Sequence, residues 1–125
     1  MPITAMDLVA AAKQNITEMS TSQSHSKLDD MLVLDVRELE EFEAGFVPGA
    51  VNIPRGVLEF KISNHPAFKD KQDANILVYC QSGGRSALAA EALNKLGYAK
   101  AVSMAGGFKT WMESGYSVSK DPAAW

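Results

Sequence analysis

From Thr4 to about Met19 the apolar positions Ala5, Leu8, Val9, Ala12, Ile16 and Met19 recur at helical spacing, with Asp7, Gln14 and Glu18 on the other side. This pattern predicts an amphipathic helix within residues 1–20, packed on the rest of the chain or extending it. Thr4 followed by Asp7 predicts a capping box at its start. Thr21 to Lys27 is polar, contains three serines and has no period, so a connecting loop is expected there. Residues 28–120 read as the main domain, in which short apolar runs alternate with helical patterns. Met31 to Val36 precedes Glu38 to Ala44, and Ala50 to Ile53 precedes a turn. Ile76 to Tyr79 precedes Ser86 to Leu96, and Ala101 to Met104 precedes Phe108 to Glu113. Strands alternating with helices imply an α/β fold with a central parallel sheet flanked by helices on both faces. Pro48-Gly49, Gly83-Gly84, Gly97 and Gly106-Gly107 punctuate these elements. Phe60 to Asp73 shows no period and is broken by Pro66, so loops with one short helix are expected there.

A chain of 125 residues with 46% hydrophobic content supports one core and one domain. The formal net charge of -3 offers no global basic field for nucleic acid or an anionic membrane, so neither is expected as a partner. No apolar run approaches the roughly 18 residues of a bilayer span. The N-terminus also lacks the basic and apolar segments of a signal peptide, which makes a cytoplasmic location the expectation. One cysteine excludes an internal disulfide, a CxxC pair and a multi-cysteine zinc site formed by this chain alone. No metal and no organic cofactor are expected.

The chemistry concentrates in Ile76-Leu77-Val78-Tyr79-Cys80-Gln81-Ser82-Gly83-Gly84-Arg85-Ser86, a buried-strand pattern that runs into a glycine-rich turn and then a helix. Ligands of open parallel sheets bind beyond the carboxyl ends of the strands, where Cys80 is predicted to stand. The glycine pair lets successive amide N–H groups turn toward one point. A helix N-terminus and the Arg85 charge would add to the preference for thiolate over thiol. A lone cysteine at a strand end is otherwise a small buried hydrophobe. Here glycines, arginine and helix start all fall within six residues of Cys80, which favours the reactive reading.

Four ordered blocks resemble the rhodanese family: Leu34-Asp35-Val36-Arg37 with Glu41-Phe42; Gly45 through Pro54; Cys80 through Ser86; and Ala105-Gly106-Gly107-Phe108 through Trp111. The resemblance extends from about Leu32 to Val118. It implies a thiosulfate sulfurtransferase in which Cys80 carries sulfur as a persulfide. Gln81, Ser82, Gly83, Gly84 and Arg85 would form the cradle, with Arg85 also holding a small anionic sulfur donor. It further implies a supporting ion pair between Asp35 and Arg37. Arg55 is placed where it could face the pocket, and Trp111 where it could wall it. The implied acceptor is cyanide, a thiol or a protein.

Two departures from the family pattern bear on mechanism. Phe46 stands where the family commonly has histidine, so no imidazole base is assigned. Gln81 stands where the thiosulfate-type loop commonly has a second arginine, which predicts a raised Michaelis constant. Mercaptopyruvate-using relatives usually carry Gly-Ser-Gly-Val-Thr after the cysteine, unlike this chain. Two rival readings remain, a cysteine phosphatase or arsenate reductase-like enzyme and a non-catalytic interaction module. Cysteine phosphatases have a longer loop than the four residues between Cys80 and Arg85, and retention of Cys80 argues against an inert module.

Overall fold

In the computed structural model, which describes residues 2–120, a five-stranded sheet has the order β1-β5-β4-β2-β3, with every pair parallel. The strands are β1 (Glu18–Met19), β2 (Leu32–Asp35), β3 (Val51–Asn52), β4 (Ile76–Tyr79) and β5 (Ala101–Met104). The helices are α1 (Ala5–Lys13), α2 (Thr21–Ser26), α3 (Leu39–Glu43), α4 (Leu58–Lys61), α5 (Gly84–Lys95) and α6 (Gly107–Glu113).

The apolar runs of β2 and β4 are buried on both sides, as expected of parallel strands between helical layers. Because successive strand residues alternate faces, Leu34, Ile76 and Val78 meet Leu58, Ile62, Phe68, Ala89 and Leu93 on one side of the sheet. Val33, Leu77 and Tyr79 meet Phe42, Phe46, Phe108 and Trp111 on the other. The two central strands therefore end between two separate apolar layers, with Asp35 and Cys80 at their carboxyl ends.

The N-terminal segment differs from the sequence expectation. Thr4 and Asp7 do form the capping box, through bonds of 3.1 and 2.9 Å, but the helix stops at Lys13. The Asn15 side chain reaches back to the Ala11 carbonyl at 3.3 Å and to Glu91 at 3.1 Å, so the chain leaves helical geometry there. Ser103 N–H then bonds the Thr17 carbonyl at 3.0 Å, and Ala105 N–H bonds that of Met19 at 2.9 Å. These bonds turn the end of the supposed helix into the edge strand β1. Only Val9 and Ala12 of the apolar stripe are buried, against Ala87 of α5, whereas Leu8 is exposed. Met1 lies outside the described residues.

The expected loop from Thr21 to Lys27 contains α2 instead. Ser20 and Gln23 form a capping box, and the small side chains of Thr21 and Ser24 are buried. The irregular stretch after Phe60 holds the end of α4 and a 3-10 turn over Ile62–Asn64.

Candidate active site

Cys80 directly follows β4, and its side chain is almost wholly buried at 1% exposure. Gly83, with φ of 107°, turns the chain sharply into α5, which begins at Gly84, two residues earlier than the sequence pattern placed it. As a result Ser86 lies in the first helical turn, where backbone N–H groups lack helical partners. Two such donors converge on Cys80 Sγ, from Gly83 at 3.1 Å and from Ser86 at 3.3 Å. The Ser86 hydroxyl lies 3.5 Å from the same sulfur and 2.8 Å from the Ser103 hydroxyl on β5. Burial pushes the Cys80 thiol up. The Ser86 hydroxyl and the amides of Ser86, Gly83 and Ser82 outweigh burial and bring it below its ordinary value. The site thus stabilises a thiolate in a nearly dry setting.

The loop is locked from the far side. Phe108 N–H donates to the Cys80 carbonyl at 2.9 Å, and Lys109 N–H donates to the Gln81 carbonyl at 3.1 Å. Gly107 permits this approach, because a Cβ there would come within 2.6 Å of both carbonyl oxygens and its φ is 61°. The fourth sequence block therefore acts as a clamp on the cysteine loop.

Asp35 and Arg37 form a buried pair. Arg37 Nη2 meets Asp35 Oδ2 at 2.7 Å, Nε meets both carboxylate oxygens at 3.1 and 3.0 Å, and Nη2 also donates to the Gly45 carbonyl at 2.7 Å. Burial opposes the Arg37 charge, and the contacts with Asp35 outweigh it. The guanidinium lies over the Phe108 ring at 4.4 Å and donates to Gln81 Oε1 at 3.4 Å, linking the ion pair to the loop.

Other sequence-predicted residues lie differently. Arg85 closes the loop, but both its terminal nitrogens bond Glu41, at 2.7 and 3.0 Å. Glu41 received no role of its own from the sequence, and neither did the Ser86 and Ser103 hydroxyls. Arg55 pairs with Glu59 at 2.9 Å and lines a groove with Leu88, Glu91 and Lys95 along α5. Trp111 is core, 1% exposed, with its indole N–H on the Ser117 carbonyl at 2.8 Å, so it does not wall the site. Phe46 stacks on Phe42 at 4.1 Å and is likewise buried. Beside the loop is a cleft of about 280 Å³ lined by Arg37, Glu41, Ala44, Gln81, Phe108 and Met112.

Comparison with known proteins places this architecture. The rhodanese-like domain model matches residues 18–114, so it takes in β1 and α2 as well as the blocks recognised from Leu32 onward. The human thiosulfate:glutathione sulfurtransferase is 37% identical over 90 residues, 65% of this chain and 78% of that protein. The Bacillus subtilis protein YrkF is 34% identical over 100 residues, 78% of this chain, and the chain spans about half of its length (51%). A solved structure from Rhodopseudomonas palustris, a protein of unknown function described as a possible tyrosine phosphatase, has a TM-score of 0.81. It is 30% identical, over 95% of this chain and 99% of that one.

Proposed function

The chain belongs to the rhodanese-like sulfurtransferase family, and on that premise we propose that it moves a sulfane sulfur from thiosulfate or a similar donor to a thiophilic acceptor through a persulfide on Cys80. The observation that carries this reading is the convergence of the Gly83 and Ser86 amides on Cys80 Sγ. In the first half-reaction the Cys80 thiolate attacks the outer sulfur of thiosulfate. A sulfur–sulfur bond forms to Sγ, the bond to the sulfonate sulfur breaks, and its electron pair leaves with sulfite. In the second, cyanide or a thiolate attacks the terminal persulfide sulfur, and the Cys80 thiolate departs. Charge stays on sulfur in both steps, so the preorganised amides and the Ser86 hydroxyl serve attack and departure alike. No step requires an imidazole, in keeping with Phe46.

The four residues between Cys80 and Arg85 make a smaller cradle than a phosphatase loop, suited to one extra sulfur atom on Sγ. The loop also differs from the mercaptopyruvate pattern. Thiosulfate should therefore give a higher kcat/KM than mercaptopyruvate in cyanide-dependent thiocyanate formation, with parallel double-reciprocal lines, and p-nitrophenyl phosphate should give no turnover. A higher value for mercaptopyruvate would overturn the donor assignment, and turnover of the phosphate ester would overturn sulfur transfer as the primary chemistry.

A further inference from the structure

Arg85 is the loop's own formal cation, yet it does not stand open to a donor. The Glu41 carboxylate bridges its two terminal nitrogens at 2.7 and 3.0 Å, a bidentate pairing that occupies the planar edge by which a guanidinium recognises a sulfonate. Both side chains are about one-third exposed, at 37% and 35%, so the pair is open to solvent at the end of the cysteine loop. Glu41 also lines the cleft beside Gln81. The neighbouring cation, Arg37, is committed to Asp35 and the Gly45 carbonyl.

We infer that Glu41 sets the donor charge preference of the site: seated across Arg85, it withholds that cation from dianionic donors and favours a sulfane-sulfur donor with a single negative charge. This rests on the persulfide reading above and specifies its substrate class. A dianion entering the cleft meets a neutralised pair, and either displaces Glu41 or binds without a free guanidinium. A monoanion forfeits about half as much Coulomb attraction. Glu41 is ionised throughout the working pH range, because the Arg85 guanidinium beside it holds its carboxyl at about 2, and Glu38 adds further negative charge around Arg85.

The test uses the full chain, Glu41→Gln, Arg85→Ala and the double variant, with thiosulfate as the dianionic donor and an aryl thiosulfonate as the monoanionic one. Cyanide is the acceptor, and intact mass reports sulfur loading of Cys80. Glu41→Gln should raise kcat/KM for thiosulfate roughly tenfold, through KM, and that for thiosulfonate by less than about threefold. Its thiosulfate KM should also climb more steeply with ionic strength than that of the parent. The gain should vanish when Arg85 is alanine. Equal changes with both donors, a loss with both, or a gain that survives Arg85→Ala would overturn the role of Glu41 while Cys80 still loads. If neither donor loads Cys80 in the unmodified chain, the persulfide reading fails, and this inference with it.

Discussion

Cys80→Ala should abolish thiosulfate-dependent sulfur transfer, lowering turnover by roughly a thousandfold or more, because the reaction loses the atom on which the intermediate forms. The loss should come with a modest stability cost. Cys80 packs in the apolar layer with Leu34, Val78 and Ala89, and its sulfur accepts the Gly83 and Ser86 amides, so alanine leaves a small void and two unanswered donors. A cost of about 1–3 kcal/mol follows, small enough to leave the chain folded. Cys80→Ser separates chemistry from packing, since it restores an acceptor to those amides without a sulfur nucleophile. It should recover most of the stability and none of the activity. Appreciable turnover in either variant would remove Cys80 from the mechanism.

Asp35→Asn should destabilise the fold more than Cys80→Ser or Glu41→Gln. Asp35 is 0% exposed and Arg37 2%, and the carboxylate accepts from Arg37 Nε, Nη2 and its backbone N–H at 2.7 to 3.1 Å. Removing one charge strands the other in a setting that cannot hydrate it, at a cost of about 3–5 kcal/mol. The midpoint of urea denaturation should fall accordingly. Arg37→Met should cost less than Arg37→Ala, because methionine keeps some of the packing on the Phe108 ring. Activity should fall as well in the arginine variants, since Arg37 bonds Gln81 and so ties the ion pair to the cysteine loop. An unchanged denaturation midpoint in Asp35→Asn would mean that the pair does not hold the site together.

The parts of the fold that were legible in the sequence are those whose side chains repeat with one period over a sufficient length. β4 and β5 run from Ile76 to Tyr79 and from Ala101 to Met104, as the apolar runs predict, because these strands are buried by helices on both sides. β1 was hidden for the opposite reason. Two residues, Glu18 and Met19, pair only through β5, and their apolar spacing continues that of α1. α2 carried a usable signal in Ser20 and Gln23, a capping box, but its buried residues are Thr21 and Ser24, which no hydrophobic pattern registers.

The site divides in the same way. The Cys80 loop was legible because glycine, arginine and cysteine carry distinct backbone and charge chemistry at short spacing. Glu41 was not, since its meeting with Arg85 joins α3 to the start of α5 across 44 positions. Ser103 was not either: one small polar residue on β5 has meaning only once the sheet brings its hydroxyl to Ser86. Arg55 and Trp111 were drawn toward the site by their positions along the chain. In the fold Arg55 pairs with Glu59 four residues on, and Trp111 is buried beside Tyr116.

The central claim is that Cys80 holds a transferable sulfur, and intact mass spectrometry under non-reducing conditions reads it directly. After incubation with thiosulfate and removal of excess donor, the protein should gain the mass of one sulfur atom, localised to the peptide containing Cys80. Brief treatment with cyanide should return the original mass with an equal amount of thiocyanate. An unmodified mass after both thiosulfate and an aryl thiosulfonate, or an adduct that cyanide leaves in place, would contradict the persulfide account.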